Sequence, residues 1–350
     1  MNFIKSRKGW YLFIIVSLLF NFSCLKKNEY KHLKIWPSID DKNLVLRQYD
    51  SNKFFVIDHI NNKIILTHFE KDSLINDGTF SAETEIVDVA VNSGNIVYLD
   101  NVSFTVHDLN KKSKDKIYYF EEDTITFPYS FHKFFNARLI DSFLYVQNYC
   151  IACANNPKSG ISYKLERRYN INNGIGELID ATPPYISKKY FLKSENFISR
   201  VNSGHYIFYS FLNYPNFLRY NILTKKTDEL KIKEKVIRPI YLTDTSEFAE
   251  DYFSYVMDFT TYNTSNQALF FDSYDSMLYN FKFLGLPIDS VNSRRNIILQ
   301  KINIQGVVIN EYTFQDSDWY NLIFINKNVY IEKIIKKANK TERYFEKINI

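Results

Sequence analysis

The sequence predicts an all-β protein, built as a six-bladed β-propeller. Runs of about five to eight residues in which apolar and polar side chains alternate recur along the chain, and clusters of Asn, Asp, Gly and Ser separate these runs. The 350 residues include 30 Phe and 27 Tyr, which suit the pleated surfaces of strands better than helices. No Pro/Gly/Ser-rich linker interrupts the pattern, so we expect residues 43–350 to form a single domain.

The clearest repeating unit covers residues 85–121. It contains four short alternating runs, and the polar turn Asn92-Ser93-Gly94-Asn95 follows the first of them. Four strands in about 40 residues is the size of one propeller blade. Similar units cover 43–69, 137–180, 197–232, 252–314 and 319–350. Each unit alone exposes an apolar face, which closure into a ring covers. Seven blades and a two-domain β-sandwich are the alternatives.

The N-terminus has the charge and hydropathy pattern of an export signal. An apolar run at 10–20 follows three basic residues, which are Lys5, Arg7 and Lys8. This run is too short to span the hydrocarbon core of a bilayer, which needs about 20 apolar residues. It has the length of the apolar core of a signal peptide. We therefore expect the protein to be exported.

The first cysteine of the chain, Cys24, follows the apolar run and is preceded by the small Ser23. This arrangement resembles a bacterial lipoprotein signal, in which the cysteine thiol is acylated and becomes the new N-terminus. We expect a signal peptide at 1–23 and a lipidated Cys24 with a polar tether at 24–42. The alternatives are an uncleaved anchor and an ordinary secretory signal. The expected location is a lipid anchor in the bacterial outer membrane, on the periplasmic or the surface face.

The charge of the mature chain gives no reason to expect nucleic-acid binding. The formal net charge is +5, and it falls to about +2 when the three basic residues of 1–23 are removed. Nucleic-acid-binding proteins carry clustered Lys and Arg that neutralise phosphates. We therefore expect the membrane, through the lipid anchor, and a protein, peptide or glycan as the partners.

The signal and the six units together resemble a known group of proteins, the uncharacterised six-bladed, TolB-like β-propeller lipoproteins of Bacteroidota. The stretches that carry the resemblance are FLRYNI at 217–222, ALFFDSYDSMLYNF at 268–281 and VINEY at 308–312. The resemblance covers nearly the whole mature chain and implies the fold and a location in the cell envelope. It implies no activity.

Two cysteines remain if Cys24 is lipidated, and Cys150 and Cys153 are separated by two residues. In an oxidising compartment such a pair forms a local disulfide that staples a loop, which is the interpretation we favour. The same spacing occurs in redox couples whose first thiolate is stabilised at a helix N-terminus. Free thiols or a metal are further alternatives, although zinc would need a second pair of ligands.

No sequence motif indicates a cofactor or a metal. The six histidines form neither an HxH nor an HExxH pattern, and the chain has no glycine-rich phosphate loop and no nucleophile elbow. Carboxylates are plentiful, but the separation in space that defines a glycosidase pair is not visible in a sequence. We expect no cofactor and no catalytic residues.

Aromatic residues near Pro215 are the predicted binding surface, because Tyr offers a flat apolar face with a polar edge. They are Tyr206, Tyr209 and Tyr214. The sequence therefore predicts a non-catalytic envelope lipoprotein whose propeller binds a protein, peptide or glycan at a rim or in its central funnel. The alternative is a metal-dependent hydrolase or lyase with its site in the central channel.

Overall fold

The computed structural model describes most of the region predicted to form the propeller. The described residues are 44–70, 73–111, 114–120, 137–147, 166–181, 198–211, 214–234, 264–285, 296–315, 321–337 and 340–350. Within them the chain forms 23 β-strands and no helix. The strands form six small antiparallel sheets, in each of which neighbours in the sheet are neighbours in the chain.

Each sheet is one blade. Blade 1 contains β1 (Leu44–Asp50), β2 (Lys53–Asp58), β3 (Lys63–Glu70) and β4 (Ser73–Ser81). Blade 2 contains β5 (Asp88–Val91), β6 (Asn95–Leu99), β7 (Ser103–Asp108) and β8 (Lys116–Tyr119). Blade 3 contains β9 (Arg138–Ile140), β10 (Phe143–Gln147), β11 (Glu166–Asn170) and β12 (Gly176–Ile179).

The second half of the chain repeats this arrangement. Blade 4 contains β13 (Ile198–Ser203), β14 (Tyr206–Phe211), β15 (Phe217–Asn221) and β16 (Lys226–Leu230). Blade 5 contains β17 (Ser265–Asp272), β18 (Met277–Phe283), β19 (Asn296–Asn303) and β20 (Val308–Gln315). Blade 6 has three strands in the described part, β21 (Leu322–Ile325), β22 (Asn328–Lys337) and β23 (Lys340–Ile348).

The first strands of the blades lie around the axis of the ring. First strands of different blades contact one another, namely β1 with β21, β5 with β9, and β13 with β17. The later strands of each blade follow outward in chain order. The prediction of a six-bladed β-propeller is therefore confirmed, and the sheets number six rather than seven.

The apolar core consists of one cluster at each of the six junctions between blades of the described part. At the junction of blades 2 and 3, the fully buried Phe104 packs on Tyr169 with ring centroids 5.3 Å apart. At the junction of blades 6 and 1, Ile323 and Tyr330 pack with Phe54. That last cluster joins the end of the chain to its beginning, so the ring is closed. Each such side chain contributes about 1.5–3 kcal/mol through burial.

The turn predicted in blade 2 forms as the sequence indicates. The side-chain Oδ1 of Asn92 accepts hydrogen bonds from the backbone N–H groups of Gly94 (2.9 Å) and Asn95 (2.8 Å). An Asn side chain that bonds to the backbone two residues on replaces a backbone turn contact, which favours this residue type between strands. The first unit extends beyond the predicted 43–69, because β4 adds a fourth strand that ends at Ser81.

Candidate binding site on the propeller axis

Charged side chains from the first strands converge near the axis. In each of four blades the first strand contributes one of them: Arg47 from β1, Asp88 from β5, Arg138 from β9 and Arg200 from β13. A buried charge without a partner is costly in free energy, so charged side chains are unexpected in the apolar interior of a propeller. The interaction partners of these four side chains therefore indicate the role of this part of the molecule.

Asp88 joins three blades. Arg47 of blade 1 donates to its Oδ1, which also accepts from the backbone N–H of Val89 at 2.7 Å. Its Oδ2 accepts from the backbone N–H of Ala137, which leads into blade 3, at 2.7 Å. Arg47 and Asp88 are 8% and 9% exposed. The carboxylate thus holds blades 1, 2 and 3 together.

Arg200 has a buried carboxylate partner of its own. Its Nη2 donates to Oε2 of Glu166 in blade 3 at 2.8 Å, and Glu166 has no exposed surface. Burial raises the pKa of Glu166, and the neighbouring Arg200 guanidinium opposes that shift. This ion pair ties blade 4 to blade 3.

Arg138 differs from the other two arginines in its ion pairing. Among the described residues, carboxylates form ion pairs with Arg47 and Arg200, and none forms an ion pair with the guanidinium of Arg138. Burial, followed by repulsion from Arg47 and Arg200, lowers the pKa of Arg138 to about 10, while Asp88 opposes the shift. Arg138 therefore keeps its positive charge at neutral pH in a place where the protein provides little to neutralise it.

A cavity of about 160 Å³ lies on the axis next to these residues. Five of the six blades line it, mostly through their first strands. The lining residues are Arg47, Gln48, Tyr49, Asp50, Ser51, Arg138, Val201, Asn202, Phe270, Phe271, Ser273, Asn321, Leu322 and Phe324. Such a concave site with a few convergent polar groups among aromatic rings is the form that ligand sites commonly take.

The residues that line this cavity differ in burial and in chemistry. Arg47 is buried and Arg138 is partly buried, whereas Asn202 and Ser273 are exposed. In the described part of the chain, the side chains of Asn202 and Ser273 make no hydrogen bond. Tyr49, another lining residue, is half-buried. The cavity wall thus combines the unpaired guanidinium of Arg138 with exposed amide and hydroxyl groups.

The three tyrosines predicted as a binding surface do not lie on one surface. Tyr206 is 37% exposed, and the Cζ of Arg219 lies 5.1 Å from its ring centroid. Tyr209 has no exposed surface, and Tyr214 is 8% exposed with its hydroxyl bonded to Glu229. Both belong to the apolar cluster between blades 3 and 4, and none of the three lines the axial cavity.

The predicted cysteine chemistry falls on residues that the structure does not describe. Cys24, Cys150 and Cys153 all lie outside the described ranges. Lipidation at Cys24 and a disulfide between Cys150 and Cys153 therefore stay predictions. In the ranges that are described, no group of three His, Cys, Asp or Glu side chains is placed to hold a metal ion. Those ranges also contain no helix with the length and hydropathy of a membrane span.

The axial arginines were missed by the sequence analysis, although the sequence carries a signal for them. In β1 the apolar run Leu44-Val45-Leu46 is broken by Arg47, and charged residues open β5 and β9. A charge in the first run of a unit indicates a group near the axis once the units are known to be blades. The signal is readable only after the fold is assigned.

Comparison with known proteins shows similarity of fold. No family model matches the sequence, and no curated protein does. The structure is similar to the crystal structure of a DUF4221 family member from Bacteroides vulgatus, with a TM-score of 0.62 and 10% sequence identity over 92% of this chain and 94% of that one. The fold therefore agrees with the expected likeness to uncharacterised Bacteroidota propellers.

Lower-scoring similarities come from other organisms. A functionally unknown protein from Desulfotomaculum acetoxidans gives a TM-score of 0.42 with 9% identity, over 87% of this chain and 84% of that one. Hsv2 from Kluyveromyces lactis gives 0.41 with 9% identity, over 88% and 86% of the two chains. Identities this low concern the shape of the chain alone.

Proposed function

We propose that this protein is a cell-envelope lipoprotein, anchored through Cys24, whose non-catalytic propeller binds a ligand in its axial cavity. The single observation that supports it most is the meeting of Arg47 and Arg138 in a cavity to which five blades contribute. The ligand is a protein, peptide or glycan that inserts one group between the first strands.

The size of the cavity determines how much of a ligand enters. Pockets for whole drug-sized ligands measure about 300–1,000 Å³, whereas a cavity of about 150 Å³ holds a molecule of the size of benzene. At about 160 Å³, the axial cavity accommodates one ring or one side chain. The rest of the ligand lies across the face of the propeller, where Asn202 and Ser273 are exposed.

The lipid anchor rests on the sequence signal at 1–23 and on the position of Cys24. Each buried CH₂ of an acyl chain contributes about 0.8 kcal/mol to membrane affinity, so two or three chains hold a protein firmly. Metabolic labelling of cells with a tritiated fatty acid tests it. The wild-type chain should incorporate label and fractionate with membranes, and the Cys24→Ser variant should do neither. Equal labelling of the two would contradict the anchor.

Ligand binding is tested with the full-length chain purified in detergent from a bacterial envelope. Isothermal calorimetry against a panel of neutral sugars, acidic sugars and short peptides should reveal a ligand. An Asn202→Trp variant, which places a large ring at the cavity opening, should weaken its binding at least tenfold. Asn110→Trp, at an exposed turn of blade 2, serves as the control. Equal affinities for the two variants would exclude the axial cavity as the binding site.

A further inference from the structure

The charges around the axis leave one position for an anion. Arg47 is paired with Asp88, and Arg200 is paired with Glu166. Asp88 forms no ion pair with Arg138 in the described part of the chain, so its attraction to Arg138 acts at a distance. Arg138 lines the cavity. An anion that enters the cavity therefore meets a guanidinium that no described residue has neutralised.

The charge of the group favours a carboxylate over a phosphate. A guanidinium presents its N–H groups in a planar fork that matches two oxygens of a carboxylate or of a phosphate equally well, so the shape of the fork does not distinguish them. A carboxylate carries one negative charge, which equals the charge of Arg138. A doubly charged phosphate would bring a second negative charge beside Asp88 and beside Asp50, another residue of the cavity wall. A monoanion thus fits the site with less repulsion.

The remaining groups of the wall indicate what carries the carboxylate. At the opening, the amide of Asn202 and the hydroxyl of Ser273 make no hydrogen bond within the described ranges, and they suit a ligand rich in hydroxyl groups. Tyr49 and Phe271 supply aromatic faces on which the C–H face of a sugar ring packs. A single pyranose ring also matches a cavity of about 160 Å³.

We infer that Arg138 anchors the carboxylate of an acidic sugar ring, a uronic-acid unit at the end of a glycan, inside the axial cavity. This inference rests on the proposed function, in which the cavity is the binding site. The carboxylate forms two parallel hydrogen bonds with the guanidinium. The ring hydroxyls reach Asn202 and Ser273, and the next sugar of the glycan lies outside the cavity.

The unpaired, partly buried charge of Arg138 gives the inference an unusual signature in variants. Replacing Arg138 by Gln removes the desolvated charge and its repulsion with Arg47 and Arg200, so the unliganded protein should melt at a higher temperature than the wild type. The same variant should bind an acidic sugar about 10- to 100-fold more weakly, since it loses a charged two-point hydrogen bond. A residue that only supports the fold would lower the melting temperature.

The experiment compares three probes on the full-length chain by calorimetry: methyl glucuronide, methyl glucoside and the peptide Gly-Glu-Gly. The variants are Arg138→Gln and, as a charge-matched control, Lys226→Gln in the outer strand of blade 4. The inference expects the wild type and the control to bind the glucuronide at least tenfold better than the glucoside. Arg138→Gln should lose that preference and melt higher.

The outcomes separate this inference from the proposed function. Equal binding of glucuronide and glucoside, or an unchanged preference in Arg138→Gln, would overturn the inference while an Asn202→Trp effect still supported the cavity as the site. Binding of the acidic peptide in preference to the sugar would also overturn it, and would identify a protein ligand. A lower melting temperature for Arg138→Gln would show that Arg138 supports the fold. If no probe and no panel member binds, both the inference and the proposed function are refuted.

Discussion

Removing the charge of Asp88 tests whether the axial ion pairs hold the ring together. Asp88→Asn conserves the volume of the side chain and removes one negative charge. Arg47 then loses its partner inside the protein, where it is 8% exposed. The new amide has one oxygen, so it accepts from the backbone N–H of either Val89 or Ala137 and points its NH₂ group at the other.

The expected loss follows from these contacts. Two unit charges about 4 Å apart interact with about 4 kcal/mol at an effective dielectric constant of 20. Removing one partner of a buried ion pair costs about 3–5 kcal/mol in measured cases, because the remaining charge stays desolvated. We expect the free energy of unfolding to fall by about 3–5 kcal/mol. At about 2 °C per kcal/mol for a chain of this size, the melting temperature falls by about 6–10 °C.

Chemical denaturation of the wild type, Asp88→Asn, Arg47→Met and the double variant measures the effect. The double variant should lose less than the sum of the single variants, with a coupling energy of at least 1 kcal/mol. Asp228→Asn is the control, because its carboxylate pairs with Arg219 at the surface, where such a pair contributes up to about 1 kcal/mol. A loss below 1 kcal/mol for Asp88→Asn, or additive single losses, would refute the reasoning.

Two further predictions concern a turn and an acidic side chain. Gly306→Ala should lower the free energy of unfolding by about 1–3 kcal/mol, because φ is +83° and the new Cβ would lie 2.3 Å from the carbonyl oxygen of Lys231. Gly204→Ala, with φ of +54° and no atom within 4 Å of its Cβ, should lose less in the same denaturation assay. A hydrogen bond from Arg168 holds the pKa of Glu177 below 4.5, so its stabilising contribution is present above pH 4.5 and is lost as the pH falls through the lowered pKa. Melting curves between pH 6 and 3 should therefore show a steeper acid loss for the wild type than for Glu177→Gln, and parallel curves would contradict the assignment.

The blades were predictable because their determinants are local. Within 85–121, alternation marks the strands and Asn92 marks a turn, and each of these signals lies within a few residues in the chain. Strands repeated at a blade-sized interval then predict a ring. None of these steps needs to know which residues meet across the molecule.

The site was not predictable in the same way, because it depends on residues that are far apart in the chain. Arg47 and Asp88 pair across 41 positions, and Arg200 reaches back 34 positions to Glu166. The packing of one blade on the next brings these groups together. A sequence shows which strands carry a charged residue. The residue that pairs with it is known only from the structure of the neighbouring blade.

The tyrosines of blade 4 show why aromatic residues were harder to place. A strand in an ordinary two-layer fold buries one face and exposes the other, so alternate residues are expected at the surface. In a propeller both faces of a sheet pack against neighbouring blades. Five consecutive residues of β14 are accordingly buried, and only Tyr206 at its start is exposed. Tyr209 is therefore a core residue, although the expectation that each strand has one exposed face would place it at the surface.

The packing of blades on one another, which buries these aromatic rings, also explains why the charge of Arg138 is unusual. Polar groups of the first strands are used at the junctions: Gln48 bonds to the backbone of Phe324 across blades 1 and 6, and Asp88 bonds across blades 1 to 3. Each such bond satisfies a group that burial would otherwise penalise. Among the described first-strand charges, Arg138 breaks this rule, and it does so at the wall of the cavity. A positive charge without a described carboxylate partner is expected to destabilise the unliganded protein, and an anion bound in the cavity is expected to offset that cost.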